Sequence, residues 1–322
     1  MSLHVRQAQG RFTGMKVFFF KSRTGNMLMN SRSPLFLLTA LALLLAPTIA
    51  VAAPSLYFSH NASRSRKLGG VTMDKGDVVR LDMETGVAEK VFDDRDFFDK
   101  RENIDAVDLL SNGHLVVSTT SSASTDRRSN RFTSGDLIEI DISGPTPLLV
   151  GKFLESGQLY TTTEDINGFS TGPAGSFLST VDSSPAVANS ISFDDGDTAS
   201  FYTGGPSSTA SLYFDEDTVF KNNANVDAIS FLSPDSIAIS TRATEWMAGR
   251  KVRRGDVVKL TRTDSGWSFS EILFSGRSSN LGFGRDVNLD AVYISMPEPS
   301  GGLLLLLGVF TLVGTGRRTA AR

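Results

Sequence analysis

A chain of 322 residues has room for one large domain or two small ones, and its formal net charge of −3 excludes nucleic-acid binding through bulk charge. With no cysteine there is no disulfide, no thiol nucleophile and no Cys-ligated zinc, and three histidines (His4, His60, His114) exclude a multi-His metal site within the chain. The 29 glycines suit a turn-rich β protein.

Residues 33–53 read SPLFLLTALALLLAPTIAVAA. Lys21, Arg23 and Arg32 precede this short apolar run, and Ala50, Val51 and Ala52 supply a small-x-small cleavage site. These are the three parts of a secretory signal peptide, so residues 1–53 are expected to be removed after passage through the Sec translocon and cleavage by signal peptidase. The alternative is a retained membrane anchor, for which the run is short. The leader is long, and starting at Met27 or Met29 would give an ordinary basic region.

Residues 54–295 repeat themselves four times. Gly-Asp opens GDVVRLD at Gly76, GDLIEID at Gly135, GDTASFY at Gly196 and GDVVKLT at Gly255, at intervals of 59, 61 and 59 residues. A second motif, NIDAVDL and its relatives, places Asp105, Asn167, Asp227 and Asp290 at intervals of 62, 60 and 63. A serine ends the following apolar stretch in each unit (Ser59, Ser118, Ser179, Ser240). An aromatic stands seven residues before each Asx (Phe98, Tyr160, Phe220, Phe283).

Within a unit the pattern is that of strands, with no helical apolar stripe. Residues 104–109 partly alternate, Ser111, Asn112 and Gly113 supply a turn, and residues 115–119 are apolar and β-branched. A loop of roughly 15 residues leads to a third strand over 136–141, and a Gly-bearing turn to a fourth, over 88–92 in the first unit and 147–153 in the second. Four strands per repeat of about 60 residues make one propeller blade. The repeat begins on strand two (residues 55–59) and finishes on strand one (residues 289–295). The expected fold is therefore an all-β, four-bladed β-propeller, closed when three N-terminal strands and one C-terminal strand complete a blade and remove the open edge. A β-solenoid or two packed sandwiches are the alternatives.

The tail, residues 296–322, reads MPEPSGGLLLLLGVFTLVGTGRRTAAR. Its apolar run, 301–316, barely crosses a bilayer core as a helix, and Arg317 and Arg318 would hold its end on the cytoplasmic side. Pro297, Glu298 and Pro299, the apolar helix and the arginine pair resemble the PEP-CTERM sorting signal of Gram-negative bacteria that secrete exopolysaccharide. Four residues, 319–322, follow the arginine pair, a mild departure. The resemblance implies an exosortase as partner, transient anchoring in the inner membrane, and delivery to the cell surface or its matrix. A plain C-terminal anchor is the alternative. The central repeats also resemble those of many uncharacterised exported bacterial proteins, a likeness that implies no activity.

Three sets of residues are candidates for function. Asp105, Asn167, Asp227 and Asp290 would form a ring at one end of the propeller axis, where their oxygens suit Ca2+, with Asp105, Asp227 and Asp290 as its carboxylates. The competing reading has each Asx accept backbone N–H groups. Register across blades favours packing for the four aromatics, ahead of sugar stacking. Loops after strand two are basic in three units, with Arg64, Arg66 and Lys67, then Arg127, Arg128 and Arg131, then Arg250, Lys251, Arg253 and Arg254. Such loops are either solvated surface or a collar for an anionic exopolysaccharide, for which Arg64, Arg127, Arg128, Arg250, Arg253 and Arg254 are the expected contacts. No catalytic residue is singled out. His60, His114, Glu164, Asp165 and Trp246 break the repeat symmetry without a Ser-His-Asp order, and phosphate-loop patterns are absent. The expectation is a non-catalytic binding or structural module with no cofactor beyond Ca2+. A polysaccharide hydrolase or lyase using the same face is the alternative.

Overall fold

A computed structural model of the chain describes residues 53–296, apart from 126–128, 162–163, 173–175, 181–183, 186–190, 203–208, 222–223, 278–282 and 284–286. The expected signal peptide up to residue 52 and the tail with Pro297, Glu298, Pro299, Arg317 and Arg318 lie outside the described residues, as do Arg127 and Arg128. Among the described residues no helix is long and apolar enough to cross a membrane.

The first unit holds β1 (Ser55–Ser59), β2 (Arg66–Leu68), β3 (Val71–Met73), β4 (Val78–Asp82) and β5 (Ala88–Phe92). The second holds β6 (Ile104–Leu109), β7 (Leu115–Thr119), β8 (Ala123–Thr125), β9 (Asn130–Phe132), β10 (Leu137–Asp141) and β11 (Leu148–Leu154). The third runs through β12 (Gly168–Thr171), β13 (Ser176–Thr180), β14 (Ser184–Pro185), β15 (Ser192–Phe193), β16 (Thr198–Tyr202) and β17 (Thr209–Phe214). The fourth has β18 (Val226–Ser233), β19 (Ser236–Thr241), β20 (Glu245–Met247), β21 (Arg250–Val252), β22 (Asp256–Thr263) and β23 (Gly266–Ser275), and β24 (Ala291–Ser295) follows.

These strands make a four-bladed β-propeller. The blades are antiparallel sheets in the orders β24-β1-β4-β5, β6-β7-β10-β11, β12-β13-β16-β17 and β18-β19-β22-β23. Blade I is the seam: Leu56 pairs with Ile294 and Phe58 with Val292, so the two ends of the repeat region share one sheet. The inner strands follow one another round the axis, β6 against β12, β12 against β18, β18 against β24 and β24 against β6.

The apolar pattern explains this arrangement. A middle strand such as β7 or β19 is buried on both faces, which is why it reads as a continuous apolar run. Strand β11, at a blade's outer edge, alternates between exposed and half-buried positions. Between blades I and II lie Val78, Phe92, Phe98, Ile104 and Val117, and between II and III lie Val116, Leu137, Tyr160, Phe169 and Phe201. Phe214, Phe220, Ile229 and Ile239 fill the III–IV interface, and Phe274, Phe283, Phe58 and Leu56 fill IV–I. All four repeat aromatics are buried here, at 1–5% exposure, so they pack blades together.

The Gly-Asp motif has two jobs. Each aspartate accepts from the backbone N–H three residues earlier: Asp77 from Asp74 (2.7 Å), Asp136 from Thr133 (2.8 Å), Asp197 from Asp194 (2.9 Å) and Asp256 from Arg253 (3.0 Å). Gly76 and Gly196 have φ of +89° and +96°, and a Cβ would fall 2.0 Å from the Glu102 carbonyl oxygen and 1.9 Å from that of Ala224. Both carbonyls lie three residues ahead of the Asx of the next blade.

One expectation is corrected. The 15-residue loops contain two-stranded hairpins, β2-β3, β8-β9, β14-β15 and β20-β21. Gly69 and Gly70, both with positive φ, turn the first; Ala248 and Gly249 turn the last. Short helical turns at Asp94–Phe97, Ser156–Gln158 and Glu216–Thr218 also appear after the outer strand, too brief to leave a 3.6-residue pattern.

Closure of the ring by β24 is testable. A chain ending after residue 288 should lose its single cooperative urea transition, and retention of the wild-type midpoint and slope would contradict closure.

Candidate functional site

The inner strands bring polar residues to the axis in three layers. Asp105, Asp227 and Asp290 are buried, and Asn167 is half-buried. Two residues before each comes a second layer, Asn103, Asp165, Asn225 and Asn288. Asn103 Nδ2 donates to Asp290 Oδ2 across the blade I–II boundary (2.6 Å), and Asn288 Nδ2 donates to Asp290 Oδ1 (2.6 Å) and to Asp227 across the I–IV boundary. Ser118 Oγ lies 2.5 Å from Asp105 Oδ1 and 2.9 Å from the Ile166 carbonyl oxygen of the next blade. The structure thus brings Asp227 and Asp290 together through the amides and holds Asp105 through a serine.

Burial dominates the electrostatics of this layer. It lifts Asp227 to about 8, helped by the charge of Asp290, and Asp290 to about 6. Asp105 is held well above the usual carboxylate range by burial and then by the neighbouring Asp165. Among the described residues, Oδ1 of Asn103, Asn225 and Asn288 and Oδ2 of Asp105 are buried without a hydrogen-bond partner.

The third layer sits three residues after the Asx. Asp108 Oδ2 accepts from Thr171 N–H (2.5 Å), Ser170 Oγ from Phe231 N–H (3.0 Å) and Ser230 Oγ from Ile294 N–H (2.9 Å). Each bond runs from one inner strand to the next. His60, a symmetry-breaking candidate, is fully buried, and burial lowers it to about 4. Its Nδ1 accepts from Ala62 N–H (3.1 Å), where Thr119 and Thr241 instead donate to the carbonyl two residues on. His60 is a brace.

The hairpins rise on the face of the Asx ring. Strand β7 ends where β6 begins, with Thr119 opposite Ile104, and β8-β9 follows directly. Asp99 N–H donates to Ser124 O (2.8 Å), and Phe220 bridges to Met247, so each of these hairpins leans on the segment leading into an inner strand. Arg64, Arg250 and Arg254 are exposed and Arg253 is half-buried. The Arg250 guanidinium lies over the Phe269 ring, 5.5 Å from its centroid. Trp246 is 55% exposed and stands opposite Lys251 in the hairpin register. A recess of about 420 Å³ beside it is lined by Val219, Phe220, Lys221, Trp246, Ala248 and Gly249.

Sequence reasoning missed the asparagine layer. Its signal was present, because NID, DIN, NVD and NLD repeat a polar residue two positions before each Asx.

No protein-family model matches the chain, and no curated protein matches it. Among solved structures it is similar to YCF48 bound to D1 peptide, at 7% identity, 67% of this chain, 69% of that one and a TM-score of 0.25. It is similar to YjhT at 11% identity, 61% of this chain, 52% of that one and a TM-score of 0.28. A catalytically inactive virginiamycin B lyase from Staphylococcus aureus gives 10% identity, 70% and 90% coverage, and a TM-score of 0.30. Scores this low carry nothing about function.

Asp108 makes a pH prediction. Burial raises it to about 7, so the folded chain holds a proton there that the unfolded chain has released above about pH 4. Its contribution is fully present at low pH and is lost as pH rises from about 4 to 7. Urea unfolding at pH 5 and pH 8 should therefore show lower stability at pH 8, and Asp108→Asn should shrink that difference by on the order of 2 kcal/mol.

Proposed function

We propose that this chain is an exported, non-catalytic binding module of the cell surface or exopolysaccharide matrix. It leaves through the Sec translocon, is cut by signal peptidase, and is sorted by an exosortase that reads Pro297, Glu298 and Pro299 ahead of the apolar helix and Arg317 and Arg318. The observation that supports binding is the fourth hairpin. There an exposed indole, Trp246, stands opposite Lys251 and beside Lys221, with Arg250 on the same turn. An apolar ring face flanked by cations suits a carboxylated sugar, which stacks on the ring and pairs its charge with the cations. Arg64 and Arg254 extend the positive surface around the same face, and the collar reading gives Arg127, Arg128 and Arg253 the same role.

Two experiments test this reading. The purified chain should be retained on an anionic exopolysaccharide column in low salt and released by about 0.5 M salt, as screening of exposed charges requires. Trp246→Ala should weaken binding about tenfold, and Arg250→Gln with Arg254→Gln should reduce its salt dependence; unchanged retention in both variants would refute the hairpin site. Release of reducing ends or unsaturated sugars would instead establish the hydrolase or lyase alternative. For sorting, Pro297→Ala with Pro299→Ala should leave the chain in the inner-membrane fraction of an exosortase-bearing host, and normal surface delivery would refute the motif's role.

A further inference from the structure

We infer that the anionic glycan is bound along its length, as an internal stretch of a polymer laid down the outer junction of blades III and IV, with the guanidinium groups of Arg250 and Arg262 pairing with its carboxylates. This rests on the binding reading of the fourth hairpin and extends it from one exposed ring to a row of contacts.

The row begins at the recess beside Trp246. Phe220 of that recess bridges to Met247, and both pack in the blade III–IV interface, where Tyr213, Trp267 and Phe269 are half-buried outer members. Trp267 and Phe269 stand two residues apart on β23, so they share one face about 7 Å apart. A guanidinium covers each ring: Arg250 lies 5.5 Å from the Phe269 centroid and Arg262 5.9 Å from that of Trp267. Trp267 is fixed in turn by Tyr213, whose ring centroid is 5.5 Å away and whose carbonyl oxygen accepts the indole N–H (3.1 Å).

Stacking pre-organises the two planar forks without neutralising them. Both arginines are exposed, and among the described residues neither lies within 4.0 Å of a carboxylate; the same holds for Lys221 and Lys251 at the recess. Asp235 acts, like Arg262, on the Tyr213 hydroxyl through its charge, yet makes no ion pair with that arginine. Lys259, on the same two strands, is already paired with Glu271 (3.7 Å) and takes no part. The arrangement belongs to blade IV. The place of Phe269, opposite Leu260, is held by Ala88 opposite Leu81, Leu149 opposite Ile140 and Ala210 opposite Phe201. The hairpin place of Arg250 is held by Val71 and Asn130 in blades I and II. Rings needed only to shut a blade would recur in all four.

The spread of the cations sets the length of the ligand. The recess of about 420 Å³ has Trp246 and Lys221 in its lining, and neither stacked arginine. A single sugar on Trp246 therefore leaves Arg250 and Arg262 unused, whereas a polymer with carboxylates at intervals reaches them together. Each exposed pair contributes little by itself, so affinity comes from engaging several at once.

The test titrates the purified full-length chain with alginate oligomers of two and eight residues, at pH 7.5 and low salt, by calorimetry. The octamer should bind at least about tenfold more tightly than the dimer. Arg262→Gln should weaken the octamer about fivefold, the scale of one exposed ion pair, and leave dimer affinity and thermal midpoint unchanged. Arg262→Lys keeps the charge but loses the planar fork, so it should recover less than half of that loss. Trp246→Ala should weaken both oligomers. Equal octamer affinity in the wild type and Arg262→Gln, with Trp246→Ala still weakening it, overturns the lengthwise mode and leaves the hairpin site standing. A wild-type chain that binds neither oligomer and is not retained on the polymer overturns the hairpin reading and the lengthwise mode with it. Octa-aspartate binding as tightly as the octamer shows that charge alone is read, and overturns the glycan as occupant of the row.

Discussion

Closing four sheets around an axis leaves one problem that no backbone ladder solves. Each inner strand pairs on one side only, with β7, β13, β19 or β1, and turns its other edge to the axis. Unpaired N–H and C=O groups buried there would each cost free energy comparable to a lost hydrogen bond. Side chains of the neighbouring blade take the ladder's place. Asp108, Ser170 and Ser230 accept N–H groups of the next inner strand, and Ser118 and Ser240 donate to the carbonyls of Ile166 and Leu289. In blades II and IV the repeated serine at the end of strand two is thus a cross-blade donor as well as a strand terminus. The series breaks at one boundary: Tyr293 stands where Asp108, Ser170 and Ser230 stand in the other inner strands. Between blades I and II the amide of Asn103 on Asp290 supplies the cross-blade bond instead.

That solution sets the character of the axis. Short polar side chains at most of the positions that face the axis exclude an apolar plug, and burial then penalises charge on those that are acids. Asp105, Asp108, Asp227 and Asp290 are all pushed upward for this reason. The amides lessen the cost by donating to carboxylates, but each amide carries an oxygen as well, and that oxygen inherits the deficit.

Much of this architecture was legible in the sequence, and the reason is redundancy. Gly-Asp, the Asx step, the closing serine and the aromatic recur in register, so even weak local signals reinforce one another. The permuted ends gave the seam, and Leu56 against Ile294 is its outcome. The hairpins were harder to read, because strands of two or three residues carry no usable periodicity. Their turns left a trace in Gly69, Gly70 and Gly249, which take positive φ at no steric cost. The axial partners were illegible for a different reason. Which amide meets which carboxylate depends on neighbouring blades, and Asn103 and Asp290 are 187 residues apart.

The departures from fourfold symmetry then sort into two kinds. Some are compensated in place: His60 braces where a threonine braces elsewhere, and Lys90 and Lys152 neutralise the acids beside Asp77 and Asp136 while Ser275 hydrogen-bonds Asp256. These keep a blade shut with different residues and ask nothing of a ligand. Others have no counterpart in their blade. Trp246 exposes more than half its surface on a hairpin whose turn forces Ala248 to a φ of +48°, a conformation that costs an L-residue roughly 1–2 kcal/mol. Packing explains the buried aromatics but does not explain an indole held out on a strained turn among cations. The repeat's regularity goes into closing the ring, and the fourth hairpin is a position where that regularity fails outward.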